Sequence, residues 1–396
     1  MFEIIAPVFK KIYGIENSSE PLKFFAPGRV NLIGEHTDHE GGYVFPCAIT
    51  SGIYALANSR PGDTVRLFSL NFDDEKINTP FEIKFANINS KINSERSWVN
   101  YPLGVIKTLL ERGFKFSTGV DIMYYGNLPG GSGLSSSAAI EVLTVEIFNT
   151  LFHLNINNVE RALISQQAEN NFVGMMCGIM DQFAVSAGKK NHAILLNCST
   201  LDYSYVPLNL GNCKIVITNS NVPHSLAGSE YNLRREQCEA ALKILQSVKP
   251  ELKCLCDLTP NEFDEISNSI SDPVILKRAT HVIDENYRAI AAAENLKGGD
   301  LTAFGVLMQA SHISLRDNYQ VTVPELDILA ETAWTINGVR GSRMTGGGFG
   351  GCTVSIVEES AVEEFKRVIS ETYTRKTGRK ADFYILDTSD GAKQII

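Results

Sequence analysis

Hydrophobic positions along this chain recur with two periods, and the switches between those periods mark out its elements. Residues 2–15 carry apolar side chains at helical spacing and predict a short amphipathic helix. Lys23 to Ala26 opens a strand. From Tyr43 to Phe85 the runs GYVFPCAI, GIYALANS, TVRLFSL and FEIKF read as β-hairpins, with Pro61-Gly62-Asp63 as a turn. Helical spacing returns over 94–112, where Trp98, Tyr101, Val105 and Leu109 share a face. Residues 119–125 are β-rich, and 138–151 alternate apolar and polar positions with a helical period. The helix at 157–173 is amphipathic at first, through Val159 and Leu163, then nearly all polar from Gln166 to Asn171.

Strands at 192–198 and 214–219 follow, and the pattern places a domain boundary between them. Beyond it the chain is mostly helical. Ser229 reads as the cap of a helix carrying Leu233, Ala240 and Ile244. Thr259-Pro260-Asn261-Glu262 has the form of a capping box with proline in the first turn. Asp272-Pro273 opens a helix through Leu276, Ile283 and Ile290 that Gly298 is placed to end, and Leu301, Phe304, Met308, Ser311 and Leu315 line another. The expectation is an α/β (α+β) chain in two units, 1–200 and 201–396.

Three stretches carry candidate chemistry. Pro129 to Ala139 reads PGGSGLSSSAA, with glycines 130, 131 and 133 between a strand and a helix. Glycine lets a backbone approach a ligand closely, and successive N–H groups ahead of a helix N-terminus form an anion cradle. A tight turn with a serine N-cap is the plainer account of the same residues. It is no Walker A loop: the nearest candidate, Gly188-Lys189-Lys190, lacks both the earlier glycine and the hydroxyl residue.

The second stretch, 26–46, sets Arg29, Glu35, His36, Asp38 and His39 among apolar Val30, Leu32 and Ile33. Burying such groups is costly unless they pair or bind something. Two chemistries fit: a metal site from His36, Asp38 and His39, or a polyol site in which Glu35 and Asp38 accept from hydroxyls. The second is favoured, because Gly34 stands where a metal site would want a further histidine. Asp181 sits inside an apolar run directly after the polar helix end, so it too needs a partner or a task. The third stretch, MTGGGFGGC at 344–352, satisfies GxGxxG formally, but a strand rather than a helix follows, which argues against a dinucleotide fold.

Composition changes the picture in a few respects. A formal charge of −9 without a lysine/arginine cluster argues against a general nucleic-acid binder, so an anionic substrate needs individually placed cations. The opening residues lack a signal-peptide pattern, and no apolar run approaches the ~18 residues of a membrane span. Eight scattered cysteines, with one CxC and no CxxC, fit free thiols in a reducing cytoplasm.

Together GRVNLIGEHTD, PGGSGLSSSA and TGGGFGGC resemble the galactokinase family of the GHMP small-molecule kinases. The resemblance extends through GIMDQ (178–182), SEYNLRREQCE (229–239) and SHISLRDNYQVTVPELD (311–327), and so over nearly the whole chain. His39 and Glu40 depart from it, since the family more often shows tyrosine and asparagine there. The resemblance implies a two-domain GHMP-kinase-like fold with the active site in the interdomain cleft. It implies ATP-dependent phosphorylation of galactose at its C1 hydroxyl, the first committed step of galactose breakdown by the Leloir route. A kinase for a related sugar such as N-acetylgalactosamine, or a non-catalytic galactose- and ATP-binding regulator, is the alternative; the complete serine–alanine run at 135–139 argues against the regulator.

By the same resemblance Asp181 is the catalytic base, with Arg29 holding it and stabilising developing negative charge. The sugar falls to Glu35, His36, Thr37, Asp38, Gly178 and Tyr231. The ATP phosphates fall to Gly131, Ser132, Gly133, Leu134, Ser135, Ser136 and Ser137, with Ser69 a further nucleotide contact. Ser137 and Glu169 are the implied Mg2+ ligands. An Arg29–Asp181 ion pair that merely ties two segments together is the structural alternative. The expected partners are galactose and ATP alone, with no nucleic acid and no membrane, and the protein is expected to be a cytoplasmic monomer.

Overall fold

The computed structural model describes residues 1–14, 20–72, 79–93, 95–128, 133–222 and 227–396, the side chains of 227–229 excepted. Its strands, in chain order, are β1 (Leu22–Asn31), β2 (Tyr43–Val44), β3 (Pro46–Arg60), β4 (Thr64–Ser69), β5 (Phe81–Lys84), β6 (Gly119–Gly126), β7 (His192–Asn197), β8 (Tyr203–Pro207), β9 (Cys213–Asn219), β10 (Val339–Thr345), β11 (Cys352–Glu358), β12 (Asp382–Leu386) and β13 (Lys393–Ile395). Six form one sheet in the order β13-β1-β3-β6-β4-β5; β10-β11-β9-β12 form a second and β2-β7-β8 a third.

The hairpin reading of 43–85 is corrected by this order. Pro61-Gly62-Asp63 does connect β3 to β4, but the two strands do not pair. β6 lies between them, antiparallel to β3 and parallel to β4. The first six positions of β6 are buried without a break, which suits a central strand covered on both faces. The end of GYVFPCAI and all of GIYALANS form the single strand β3, and the gap between them is a register shift opposite Pro27 and Gly28 rather than a turn.

Helices Asn100–Glu111 and Ser136–Phe152 cover this sheet, packing Leu103, Ile106, Val142, Val145 and Phe148 against Phe24, Leu67 and Ile122. Each such side chain stabilises the fold by roughly 1.5–3 kcal/mol. The sequence suggests two-faced amphipathicity for the second helix, yet every residue from Ala138 to Val145 is buried. It is a central helix, apolar nearly all round. Its N-terminus, at the glycine loop, therefore has a fixed position.

In the second half the capping box is present: Thr259 Oγ1 accepts from the Glu262 N–H at 3.1 Å, and Glu262 accepts from the Thr259 N–H at 2.9 Å. Asp272 caps the helix Pro273–Lys297, which ends at Gly298 with Gly299 in the left-handed region. The Ser229 cap is corrected, because the helix already runs from Ala227 to Gln246. Its inward face is Arg234, Cys238, Ala241 and Leu245, one position on from the expected set, while Leu233 is exposed. The last strand, β13, returns to pair with β1, so the chain's end is tied to the sheet that carries Arg29. Among the described residues no helix is long and apolar enough to cross a membrane.

Candidate active site

Five elements converge on one cavity of about 240 Å³. They are the end of β1, the loop that follows it, the start of helix Ser136–Phe152, the segment from Glu169 to Asp181, and the β10–β11 turn. Helix Ala227–Gln246 adds Tyr231 to the wall. The volume suits one small polar molecule better than a drug-sized ligand, for which pockets run to roughly 300–1,000 Å³.

Arg29, near the end of β1, makes a two-pronged pair with Asp181 in the first turn of helix Met180–Ala187. Its Nε and Nη2 donate to the two carboxylate oxygens at 2.8 and 2.9 Å, and its Nη1 donates to the Gly133 carbonyl at 2.6 Å. Ser135 stands at the N-terminus of its helix with φ at +63° but does not cap it. Its hydroxyl donates to Asp181 Oδ2 at 2.6 Å, so a residue in a costly backbone conformation is spent on the carboxylate. About 29% of the Asp181 side chain remains exposed, on the cavity.

The loop after β1 is pinned from below by Glu285, whose Oε1 accepts from the Gly34 and Glu35 N–H groups at 3.0 and 3.3 Å. Glu35 borders the cavity, but its carboxylate accepts from Asn31 Nδ2 at 2.8 Å, the Gly346 N–H at 2.7 Å and Arg343 Nη1 at 3.3 Å. Gly346 reaches it from a left-handed turn, φ +86°, in the β10–β11 loop. Burial raises the Glu35 pKa, against the pull of Arg343 and Arg29. Burial works the same way on Glu285, but Arg288, His281, Arg343 and the Ser311 hydroxyl hold that carboxyl down at about 2.

His36 sits at φ +62° with its ring against Tyr319 and Tyr231, at centroid distances of 4.7 and 5.5 Å. Burial, with His39 and His281 nearby, drives its pKa well below the usual value, so the ring is neutral. Its Nε2 is buried without a hydrogen-bond partner among the described residues, and the residue lines the cavity. An unpartnered polar atom there invites a ligand hydroxyl. Burial acts to raise the Asp38 pKa, but His39 and His36 leave it lowered. Asp38 packs directly on Gly178, where any Cβ would come within 1.9 Å of its Oδ2; only glycine lets the two segments meet.

Glu169 starts a π-helical turn, Glu169–Val173, at the polar end of helix Asn158–Ala168. It accepts from Gln182 Nε2 at 2.6 Å and from Ser137. Burial, then the Asp181 charge, lifts its pKa to about 7. Glu141 lies beside it, fully buried and with its pKa raised well above the usual range by burial and by Glu169. Hard oxygen donors from Ser137 and Glu169, among more carboxylates than cations, fit Mg2+.

The structure thus brings together Arg29, Glu35, His36, Asp38, Ser137, Glu169, Gly178, Asp181 and Tyr231. Ser135 and Gly133 meet the site through Asp181 and Arg29. Ser136 is exposed on the first turn of its helix, and Leu134 is buried with its carbonyl accepting from the Arg29 N–H at 3.3 Å. Gly131 and Ser132 lie outside the described residues. Two further expected residues stand off this cavity. Thr37 does not line the cavity: its hydroxyl donates to the Gly34 and Tyr43 carbonyls, closing the loop on itself. Ser69 ends β4, buried and away from the cavity lining. Sequence reasoning missed Glu141, Glu285 and Arg343. An acid inside the apolar run AAIEVLTV was a signal of the same kind as the one that singled out Asp181.

This fold and this site define a GHMP-type small-molecule kinase. Residues 7–59 match the galactokinase galactose-binding signature, and residues 100–189 and 292–375 match the N- and C-terminal domains of GHMP kinases. The chain is 49% identical to a galactokinase of Fusobacterium nucleatum over the full length of both. It is 54% identical to one of Clostridium acetobutylicum, covering 94% of each chain. The crystal structure of Lactococcus lactis galactokinase complexed with galactose superposes over the whole of both chains, with TM-score 0.95 and 39% identity. A mevalonate kinase at 19% identity and TM-score 0.62 shares the fold. The chain belongs to the galactokinase family.

Proposed function

We propose that the cavity binds galactose and that the protein transfers the γ-phosphoryl group of ATP to its C1 hydroxyl, giving galactose 1-phosphate and ADP. The observation that carries this reading is the Asp181 carboxylate, fixed by three donors from Arg29 and Ser135, with its remaining surface on the cavity. The C1 hydroxyl is the most acidic of the sugar. Asp181 takes its proton as the oxygen attacks phosphorus, and the bond from phosphorus to the β-phosphate oxygen breaks in line, its electron pair leaving with ADP. Arg29 holds Asp181 in place and sets a positive charge beside the moving phosphoryl group.

His36 Nε2 and Asp38, with Tyr231 across from them, hydrogen-bond the sugar's edge, while Glu35 shapes the floor. The loop 131–137 receives the phosphates at a helix N-terminus. Ser137 and Glu169 would hold Mg2+, which would neutralise phosphate charge when bound. The division into 1–200 and 201–396 fits the cavity, which draws Arg29, Glu169 and Asp181 from the first part and Tyr231 and Gly346 from the second. The direct test follows ADP formation with galactose and with glucose and assigns the phosphorylated carbon by NMR. Phosphate on any carbon but C1 would overturn the reading.

A further inference from the structure

Past Asp38 the sugar loop turns inward, and the two positions that depart from the common family pattern, His39 and Glu40, point into the protein. Their side chains are 2% and 6% exposed. There they meet Cys238, fully buried on the inward face of helix Ala227–Gln246. One ligand atom from each of His39, Glu40 and Cys238 lies within 4.8 Å of the other two, with His39 Nε2 at 3.9 Å from Glu40 Oε1. We propose that His39, Glu40 and Cys238 form a binding site for a thiophilic divalent cation of the zinc class, separate from the Mg2+ site and lying behind the sugar loop.

The histidine is oriented for this task. Its Nδ1 lies 3.3 Å from Asp38 Oδ1, so the ring donates Nδ1–H to a carboxylate and turns the Nε2 lone pair toward Glu40 and Cys238. Metal-bound histidines are held in this way by a second carboxylate. One nitrogen, one carboxylate oxygen and one thiolate are a borderline-soft set, matching zinc rather than magnesium. The charges also close, since a carboxylate and a thiolate neutralise a dication in a setting with little water. Bonds of about 2.0–2.3 Å would separate tetrahedral ligand atoms by roughly 3.3–3.8 Å, so each side-chain end moves by about 1 Å or less.

The rival account is a satisfied polar cluster bridged by the Tyr319 hydroxyl, 3.4 Å from His39 Nε2 and 3.6 Å from Cys238 Sγ. A cation bound there would sit one hydrogen bond from Asp38, and so from the sugar.

Cobalt(II) distinguishes the two accounts. It is titrated into the reduced full chain with excess Mg2+, which fills the hard-oxygen site and leaves thiolate coordination as the signal. One equivalent is expected to give a near-ultraviolet sulfur-to-cobalt charge-transfer band. Cys238→Ser abolishes that band, His39→Asn weakens the affinity at least ~10-fold, in line with the sensitivity of metal sites to their partners, and Cys213→Ser changes nothing. If Cys238→Ser does not fold, His39→Asn alone decides. Absence of the band in the wild type, its survival in Cys238→Ser, or unchanged affinity in His39→Asn would overturn the proposal.

Discussion

The two sides of the cavity are both built on buried carboxylates, and they are balanced in opposite ways. On the sugar side Glu35 and Glu285 share Arg343, and Glu285 has Arg288 as well, with Nε donating at 2.7 Å. Glu285 accordingly titrates at about 2. On the phosphate side, among the described residues Glu141, Glu169 and Asp181 pair with one cation, Arg29, and Arg29 is committed to Asp181. Burial and like charge push Glu169 to about 7 and raise Glu141 well above the ordinary carboxylate range. A balanced network is complete as structure, and it holds a loop in one shape. An unbalanced one is neutralised by protons or by a cation arriving from outside. The difference separates the half of the site that reads shape from the half that manages charge.

The shape-reading half should show the largest effect. Galactose and glucose differ in the orientation of one hydroxyl, and a site built to hydrogen-bond that hydroxyl leaves its own buried groups unpaired when it points elsewhere. Discrimination of ~10⁴-fold in kcat/KM is expected. Asp38→Ala should lose galactose binding in calorimetry while ATP binding persists. Comparable efficiency on both sugars would mean that the His36–Asp38 edge does not read C4.

On the charged half, Asp181→Asn keeps the shape of the carboxylate and removes the base. Turnover is expected to fall by at least ~10²-fold with galactose affinity nearly unchanged. Glu169→Ala should act differently, shifting the Mg2+ concentration for half-maximal rate upward by about 10–100-fold while the galactose KM stays put. An unchanged Mg2+ titration would remove Glu169 from the ligand set.

Much of this contrast was legible in the chain, and the parts that were not have a common cause. Signals confined to a few adjacent residues came through, such as Thr259 with Glu262 and Asp272 before Pro273. The placement of β6 between β3 and β4 depends on a strand some fifty residues further on, and no local pattern records it. From Ala138 to Val145 the helix Ser136–Phe152 is buried on every side, so its apolar and polar positions do not mark an exposed face. GEHTD advertised Glu35, but the partners that fix Glu35, Arg343 and, through its backbone, Glu285, are 308 and 250 positions away. Thr37 was carried along by its motif, and only the closed loop reveals that its hydroxyl serves the turn.

The balanced half makes the last prediction, with the smallest effect on the reaction. Glu285→Gln keeps an acceptor for the Gly34 and Glu35 N–H groups, so kcat should stay within a few-fold of wild type. Stability should not. A carboxyl held at about 2 in the fold, against 4.5 unperturbed, contributes on the order of 3 kcal/mol. The sign follows from the depressed value. The unfolded chain binds the proton more readily, so the contribution is complete above the unfolded pKa and fades as pH falls from about 4.5 toward 2. Denaturant unfolding of wild type and Glu285→Gln at neutral pH should therefore differ by about 3 kcal/mol, and at pH ~3 by less than half of that. A gap of the same size at both pH values would show that Glu285 holds the loop through shape and hydrogen bonds alone, and the contrast between the two halves of the cavity would not be one of charge.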